Sequence, residues 1–376
     1  MHFRLFGHHL WPIYALTLAV LLAACQPKVI PMTSEEARRV AALTAKMSTR
    51  CVGRYLIDMP EEFVLNSESS TEIEGVKIYV KPMVGDVFNR MLNEREKELR
   101  QMTQPGRDRN RPHLRKTIAI HSPSLGLVFD RAEGTGSSDR SGRELELMAW
   151  RDGYQIQASI KATDLTFPED AEDSIALQLK TDVDEKLAHL LNVYERIRGR
   201  KDTEVPTEQG LCFANGFLKG APTDHEVILI QHHLNQAPDV STVFHSLSDL
   251  VQDSELLDRG DGIERMLKAN AGYTLRKGRA LSLVADSQEW LMTKKDPDSG
   301  LLSQHMTLEA NAKTGSAATP VVVFDLDTGV PIPAPPLTLE ESAVRKPLQK
   351  VTLSEAESVA LWDRISATLR PRPGAF

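Results

Sequence analysis

Several stretches of this sequence carry residue types that could do chemistry. Asp224-His225-Glu226 and His232-His233 bring together five side chains able to ligate a metal. On a strand, however, Glu226 and His232 point to one face and His225 and His233 to the other, and no second ligand pair stands at zinc-site spacing. Val321 to Gly329 ends an apolar run on Asp325 and Asp327 in the manner of a phosphotransferase loop. Its terminal Thr328-Gly329 inverts the Asp-Gly-Thr order that chemistry uses, and Pro331 to Pro336 occupy the place of the following helix. Asp258-Arg259-Gly260-Asp261-Gly262 holds acids off the alternate positions of a calcium loop, so it reads as a helix end and a turn. Gly134-Thr135-Gly136-Ser137-Ser138 reads as a flexible hairpin loop. The nucleophile elbow G-x-S-x-G, the zinc helix H-E-x-x-H and the Walker loop are all missing from the sequence. The expectation is a protein with no catalytic residues, no metal site and no cofactor, one that binds rather than turns over.

The cysteines carry a different message. Cys25 ends Leu22-Ala23-Ala24-Cys25, which follows a short n-region with Arg4 and an apolar run from Leu10 to Leu22. That run is shorter than the roughly 20 residues a membrane span needs, and Pro12 interrupts it. The pattern is a secretory signal, residues 1–24, ending in a lipobox with Cys25 as the lipidated residue. Several acyl chains on one cysteine give stable attachment. Gln26, rather than Asp, follows it, so the expected location is the periplasm, lipid-anchored to the outer membrane. Cys51 and Cys212 then remain in an oxidising compartment. They either bridge, joining the first strands of two halves, or each sits as a small buried hydrophobe.

The 376 residues are 41% apolar and 26% charged, with a net charge of −7, a globular profile long enough for two cores. Acids and bases are interleaved, which excludes the concentrated basic face that nucleic acid requires. Residues 25–46 read as a lipidated tether and a short helix opening at Ser34-Glu35-Glu36. An N-terminal domain over 47–199 opens on a strand, Cys51 to Pro60. It continues with strands near Val64 and Val76 to Val80, a helix Asp86 to Met102, and a meander of four strands at Leu114, Leu125, Arg143 and Tyr154. A long helix from Glu169 to Ile197 closes it. A polar linker, 200–209, leads to a C-terminal domain over 210–376. That domain starts at Cys212 and closes with a helix whose apolar face is Val359, Trp362, Ile365 and Leu369. Each half has a Cys-bearing strand, an aromatic-Leu pair soon after it, hairpins and a closing helix. The predicted fold is α+β: two similar domains, each a mainly antiparallel sheet with packed helices, possibly a duplicated unit.

Several segments taken together resemble the periplasmic immunity proteins of type VI secretion lipase effectors, and most closely the class paired with phospholipase effectors of the fourth type. They are Cys51 to Pro60, the Cys212-bearing start of the second half, Leu275-Arg276-Lys277-Gly278-Arg279, Glu289-Trp290-Leu291, Pro320 to Gly329, and Ala360-Leu361-Trp362-Asp363 through Arg370-Pro371-Arg372. The resemblance implies a two-domain inhibitor gripping a phospholipase of α/β-hydrolase type, at its lid or active-site entrance. Its partners would be that effector and, through the lipid anchor only, the membrane; it assigns no partner-binding residues. Gly53, Pro60, Gly216 and Gly278 suit turns and Trp362 a core. Around Ala285-Asp286-Ser287-Gln288 the pattern leads one to expect a more Gly-rich turn. The alternative reading is an outer-membrane lipoprotein that carries a lipid or scaffolds an assembly. A third, an unrecognised hydrolase, would need a site assembled from scattered residues.

The lipobox gives a direct test: Cys25→Ala is expected to abolish incorporation of an alkyne fatty acid and to move the protein from the membrane to the soluble envelope fraction.

Overall fold

The computed structural model describes residues 31–103, 111–120, 125–134, 141–166, 180–296, 299–330 and 348–376. After helix α1 (Ser34–Leu43), the first half forms hairpin β1 (Met47–Val52) and β2 (Tyr55–Pro60), short β3 (Phe63–Leu65), and hairpin β4 (Ser70–Ile73) and β5 (Val76–Pro82). Helix α2 (Gly85–Gln101) follows. Then come the meander β6 (Leu114–Ile120), β7 (Leu125–Ala132), β8 (Gly142–Arg151) and β9 (Tyr154–Thr163), helix α3 (Val183–Glu195), and short β10 (Ile197–Gly199).

The second half repeats this order. It has hairpin β11 (Gly210–Phe213) and β12 (Gly216–Lys219), then hairpin β13 (Glu226–Leu234) and β14 (Ala237–Leu247). Helix α4 (Gly260–Ala269) precedes the meander β15 (Tyr273–Arg279), β16 (Gln288–Lys295), β17 (Leu302–Ala310) and β18 (Val321–Thr328). Helix α5 (Glu355–Ser366) and short β19 (Arg370–Pro371) end the chain. The strand orders match as well: β4-β5-β9-β8-β7-β6 against β13-β14-β18-β17-β16-β15.

The two half-sheets join edge to edge. β4 pairs antiparallel with β13, Glu72 opposite Val227 and Thr71 opposite Ile228, and β3 extends the same lane along His232 to Leu234. One sheet therefore runs through both halves. The short strands are exchanged: β10 of the first half pairs with β12 of the second, and β19 of the second with β2 of the first. Each half thus completes the other's first hairpin.

The hairpins meet back to back. Gly53 and Cys212 exchange both backbone hydrogen bonds at 2.8 Å, and the sulfurs of Cys51 and Cys212 are bonded, with Cα atoms 5.7 Å apart. Beside them Arg54 donates to both carboxylate oxygens of Glu226, at 3.0 and 2.6 Å, with both side chains almost wholly buried. This ion pair spans the halves, and the remaining Arg54 donor reaches the carbonyls of Gly220 and Ala375. Arg200 is equally buried and donates to the carbonyls of Lys201, Asp202 and Glu204. Burial pulls it down to about 10, so it stays charged.

The apolar core follows strand alternation. Ile230, Phe244, Phe324 and Leu308 sit opposite one another across four strands, all buried. Trp362 of α5 stacks on Phe324 at 5.6 Å. Ser354 and Glu357 form a capping box at the start of α5, and α1 docks on α5 through Arg39 to Glu357, 2.7 Å. A single apolar cluster runs from Val52 to Leu369.

Three expectations change. Cys51 to Pro60 is a hairpin rather than one strand, because Gly53 turns at φ 57° where a Cβ would stand 3.1 Å from the Phe244 ring. The helix closing the first half starts at Val183, with Asp182 spent as an acceptor for Thr163, and stops before Ile197, which begins β10; residues 167–179 lie outside the described residues. Asp258 and Arg259 do end a short 3-10 turn, Leu257–Arg259, but Gly260 to Gly262 open α4 where the sequence predicts a turn.

In the chain-entropy model a loop of 161 residues closed by a disulfide gains about 5 kcal/mol. Cys51→Ala with Cys212→Ala is expected to lower unfolding stability by about 3–5 kcal/mol, read as a lower urea midpoint.

Candidate binding interface

Paired strands fix which residues share a face. Starting from Trp290, whose ring a Cβ on Gly260 of α4 would meet at 3.4 Å, the row runs Trp290, Thr307, Asp325, Val243, Gln231. In the first half the row Phe129, Glu146, Ser159, Lys77, Glu72 ends on Val227. Phe129 lies under α2 with Phe88 and Leu92. Both rows belong to the same side of the sheet, so α2 and α4 flank one face while α3 and α5 cover the other.

Between the two flanking helices the face is open. Its floor spans β9, β5, β4, β13, β14 and β18, about 25 Å across at ~4.8 Å per strand and about 30 Å along its four longer strands β9, β13, β14 and β18, of 8 to 11 residues. Right-handed twist turns so wide a sheet into a saddle. The area, on the order of 750 Å² from these spacings, matches one partner's share of a standard protein–protein interface. On the α2 side the saddle deepens into a groove of about 700 Å³ lined by Glu72, Lys77, Tyr79, Arg95, Arg131 and Glu146, among others.

The two ends of the saddle differ chemically. At the α2 end Glu146 receives Arg95 at 2.9 Å through two nitrogens and Arg131 at 2.6 Å. Burial alone would raise the Glu146 carboxyl, but these hydrogen bonds outweigh it and hold it below the usual range. Arg131 also binds Glu144 at 2.6 Å, so this wall is a neutralised, rigid ion-pair network.

The α4 end is acidic. Asp325 is held partly buried on the floor, and burial pushes its carboxyl up to about 6. Its Oδ1 has no hydrogen-bond partner, and neither has Glu309 Oε1. Glu309 Oε2 takes Arg259 at 2.5 Å. Asp327 binds His305 at 2.7 Å; burial works against the charged imidazole, but this contact raises His305 above its ordinary value. His245, also on the floor, is lowered by burial. Leaving buried carboxylate oxygens unpartnered costs stability.

The motif residues scatter. Glu226 is consumed by Arg54, His232 is buried against Asp202 at 3.1 Å, and His233 lies on the open face; no group of three or more metal-ligating side chains gathers among the described residues. Asp325 and Asp327 end a strand whose turn is Gly329, φ 81°, while Gly134 begins a loop whose residues 135–140 lie outside the described residues, as do Cys25 and Pro331 to Pro336. The Gly-poor turn is explained: Asp286 takes φ 52° and bonds Arg279 at 2.7 Å, filling a left-handed position that glycine would otherwise hold. Asp325 was singled out only for a reaction loop; its place among Val243, Thr307 and Trp290 depends on strand order.

Residues 48–200 match the family described as Tle cognate immunity protein 4 N-terminal domain, and residues 204–374 its C-terminal domain. The chain belongs to the Tle cognate immunity protein 4 family. Solved structures share the fold: the Tle4-Tli4 complex, 20% identical, TM-score 0.63, covers 88% of this chain and 99% of that one. An apo immunity protein TplEi of the type VI secretion system from Pseudomonas aeruginosa is 21% identical, TM-score 0.61, over 88% of this chain and 98% of that one. The same immunity protein complexed with an "L" peptide is 20% identical, TM-score 0.56, over 87% and 98%. No curated protein matches.

Asp325 offers a pH test. Its carboxyl ionises near 3.8 when solvated and near 6 in the fold, so its contribution to stability is full below pH 4 and is lost as pH rises past 6. Asp325→Asn is expected to raise stability at pH 7.5 by about 1–3 kcal/mol and to leave it unchanged at pH 4, as read by thermal melts at both pH values.

Proposed function

We propose that this protein binds and inhibits a type VI secretion phospholipase effector, protecting the cell that carries it from its own toxin. The observation that carries this reading is the family match over both halves, residues 48–200 and 204–374. A relative of the same fold occurs in a Tle4-Tli4 complex, and another was solved with a peptide bound, in keeping with a protein whose task is to hold a partner. The saddle between α2 and α4 is our candidate for the grip. It has the area of a standard interface, a preorganised charged wall at one end and the partly exposed carboxylates Asp325 and Asp327 at the other. A basic edge around the effector's lid or active-site entrance would complement those acids, steering approach and register. Seated there, the effector's lid could not open to lipid. The protein itself is a stoichiometric inhibitor with no turnover and no cofactor.

A lipobox at Cys25 would hold the inhibitor on the periplasmic side of the outer membrane, where such an effector works. Helix α1, which follows that segment in sequence, docks on α5, on the side of the sheet opposite the saddle. That arrangement leaves the grip accessible to a soluble lipase.

The test is titration of residues 26–376 into the phospholipase encoded beside this gene, following lipid hydrolysis in detergent micelles. Activity is expected to fall linearly to a one-to-one endpoint; undiminished hydrolysis at tenfold excess would reject the reading. Leu229→Arg with Val243→Arg, both on the saddle floor, is expected to weaken inhibition at least 100-fold while the melting temperature stays within a few degrees.

A further inference from the structure

The loop between β15 and β16 presents apolar side chains that the proposed grip does not use. Leu281 is 73% exposed and Leu283 67% exposed, at alternate positions in a loop that is firmly held. The Ala280 N–H donates to Ser287 O at 2.9 Å and the Leu283 N–H to Leu369 O at 2.9 Å. The Ser282 and Ser287 hydroxyls meet at 2.7 Å, Arg279 pairs with Asp286, and Val284 is buried in the core. Leucines fixed in solvent on a rigid loop have already lost the freedom that binding would remove, which is preorganisation for an apolar partner.

The position of the loop selects the partner. Leu369 closes the C-terminal end of α5, so the loop lies on the side of the sheet opposite the saddle. Tyr273, at the far end of β15, is 42% exposed and donates to Glu355 at the start of α5, on that same side. Helix α1, which leads back toward Cys25, docks there too. Helix α5, of 12 residues, is about 18 Å long. The eight residues from Cys25 to Thr33 reach at most about 28 Å, enough to bring a bilayer anchor level with the loop. We infer that Leu281 and Leu283 insert into the phospholipid surface as a second membrane contact beside the Cys25 anchor, which fixes the α5 side toward the bilayer and the saddle outward. The inference rests on the reading of Cys25 as an anchor.

The test supplies that anchor chemically. Residues 25–376 have one thiol outside the disulfide, Cys25, which is coupled to a maleimide lipid in vesicles of phosphatidylethanolamine and phosphatidylglycerol, 3:1, with brominated acyl chains. Relative to the unsubstituted protein, the added emission of Leu283→Trp is expected to shift blue and to be quenched by about half or more. Tyr79→Trp, on the saddle, is expected to show no quenching. Unquenched Leu283→Trp emission would overturn the inference. So would a tenfold or greater loss of effector inhibition in micelles for Leu281→Ser with Leu283→Ser, because the loop would then be an effector contact. Mass spectrometry of Cys25 from cell membranes tests the anchor reading separately, since the vesicle result does not depend on acylation in the cell.

Discussion

A strand at the edge of a sheet carries a row of unpaired backbone groups that must be covered or matched. In this protein β4 and β13 meet that need for each other, because they occupy the same position in two halves of the same plan. Antiparallel pairing of equivalent edges relates the halves by an approximate two-fold axis, and everything near that axis is reciprocal. β19 completes the β1–β2 hairpin and β10 completes β11–β12. Cys51 and Cys212 stand at matching places in the two hairpins and are bonded. The Arg54–Glu226 pair adds a buried charge contact beside them. Removing either partner would leave a charge in the core, a loss of about 3–5 kcal/mol. The halves are thus interlocked rather than strung together.

Interlocking has a consequence for binding. Two small sheets become one wide one, and the helices after the second hairpins, α2 and α4, fall on the same face with the joint midway between them. The opposite face is closed by α3 and α5 and carries the core. A face of this width has room for a macromolecular partner and a backbone fixed by the disulfide, so little ordering is left to oppose association. Side-chain chemistry then divides the surface. Around Glu146 the ions are matched to one another, whereas Asp325 and Glu309 each keep a carboxylate oxygen without a protein partner. Those two oxygens are enclosed in the protein, so the acidic end carries an unrelieved desolvation cost that the Glu146 network does not.

The helix-covered side has its own polarity. Glu357 is buried at the start of α5 and takes Arg39 from α1; burial would raise its carboxyl, but Arg39 and the Ser354 cap together outweigh it and hold it below the usual range. Helix α1 is therefore fastened to the body at a defined point, on the side of the sheet away from the saddle.

How far the sequence alone reached depends on whether the signal was local. Alternation in Glu226 to Leu234, the spacing of Val359, Trp362 and Ile365, and the cap at Ser354 are written within a few residues of each other, and the corresponding strand and helix follow. The repeated plan was legible for the same reason, since each half spells a Cys-bearing strand, hairpins and a closing helix in order. The binding face was not, because Trp290, Thr307, Asp325 and Val243 are neighbours only through strand order, and no local pattern encodes which strands pair. The turn at Gly53 shows the boundary between the two: glycine permits a reversal anywhere, but Phe244, nearly 200 residues away, decides that nothing larger fits. Composition and local periodicity determined the elements; the edge-to-edge joining of the halves, a matter of long-range backbone hydrogen bonding, decided where a partner could sit.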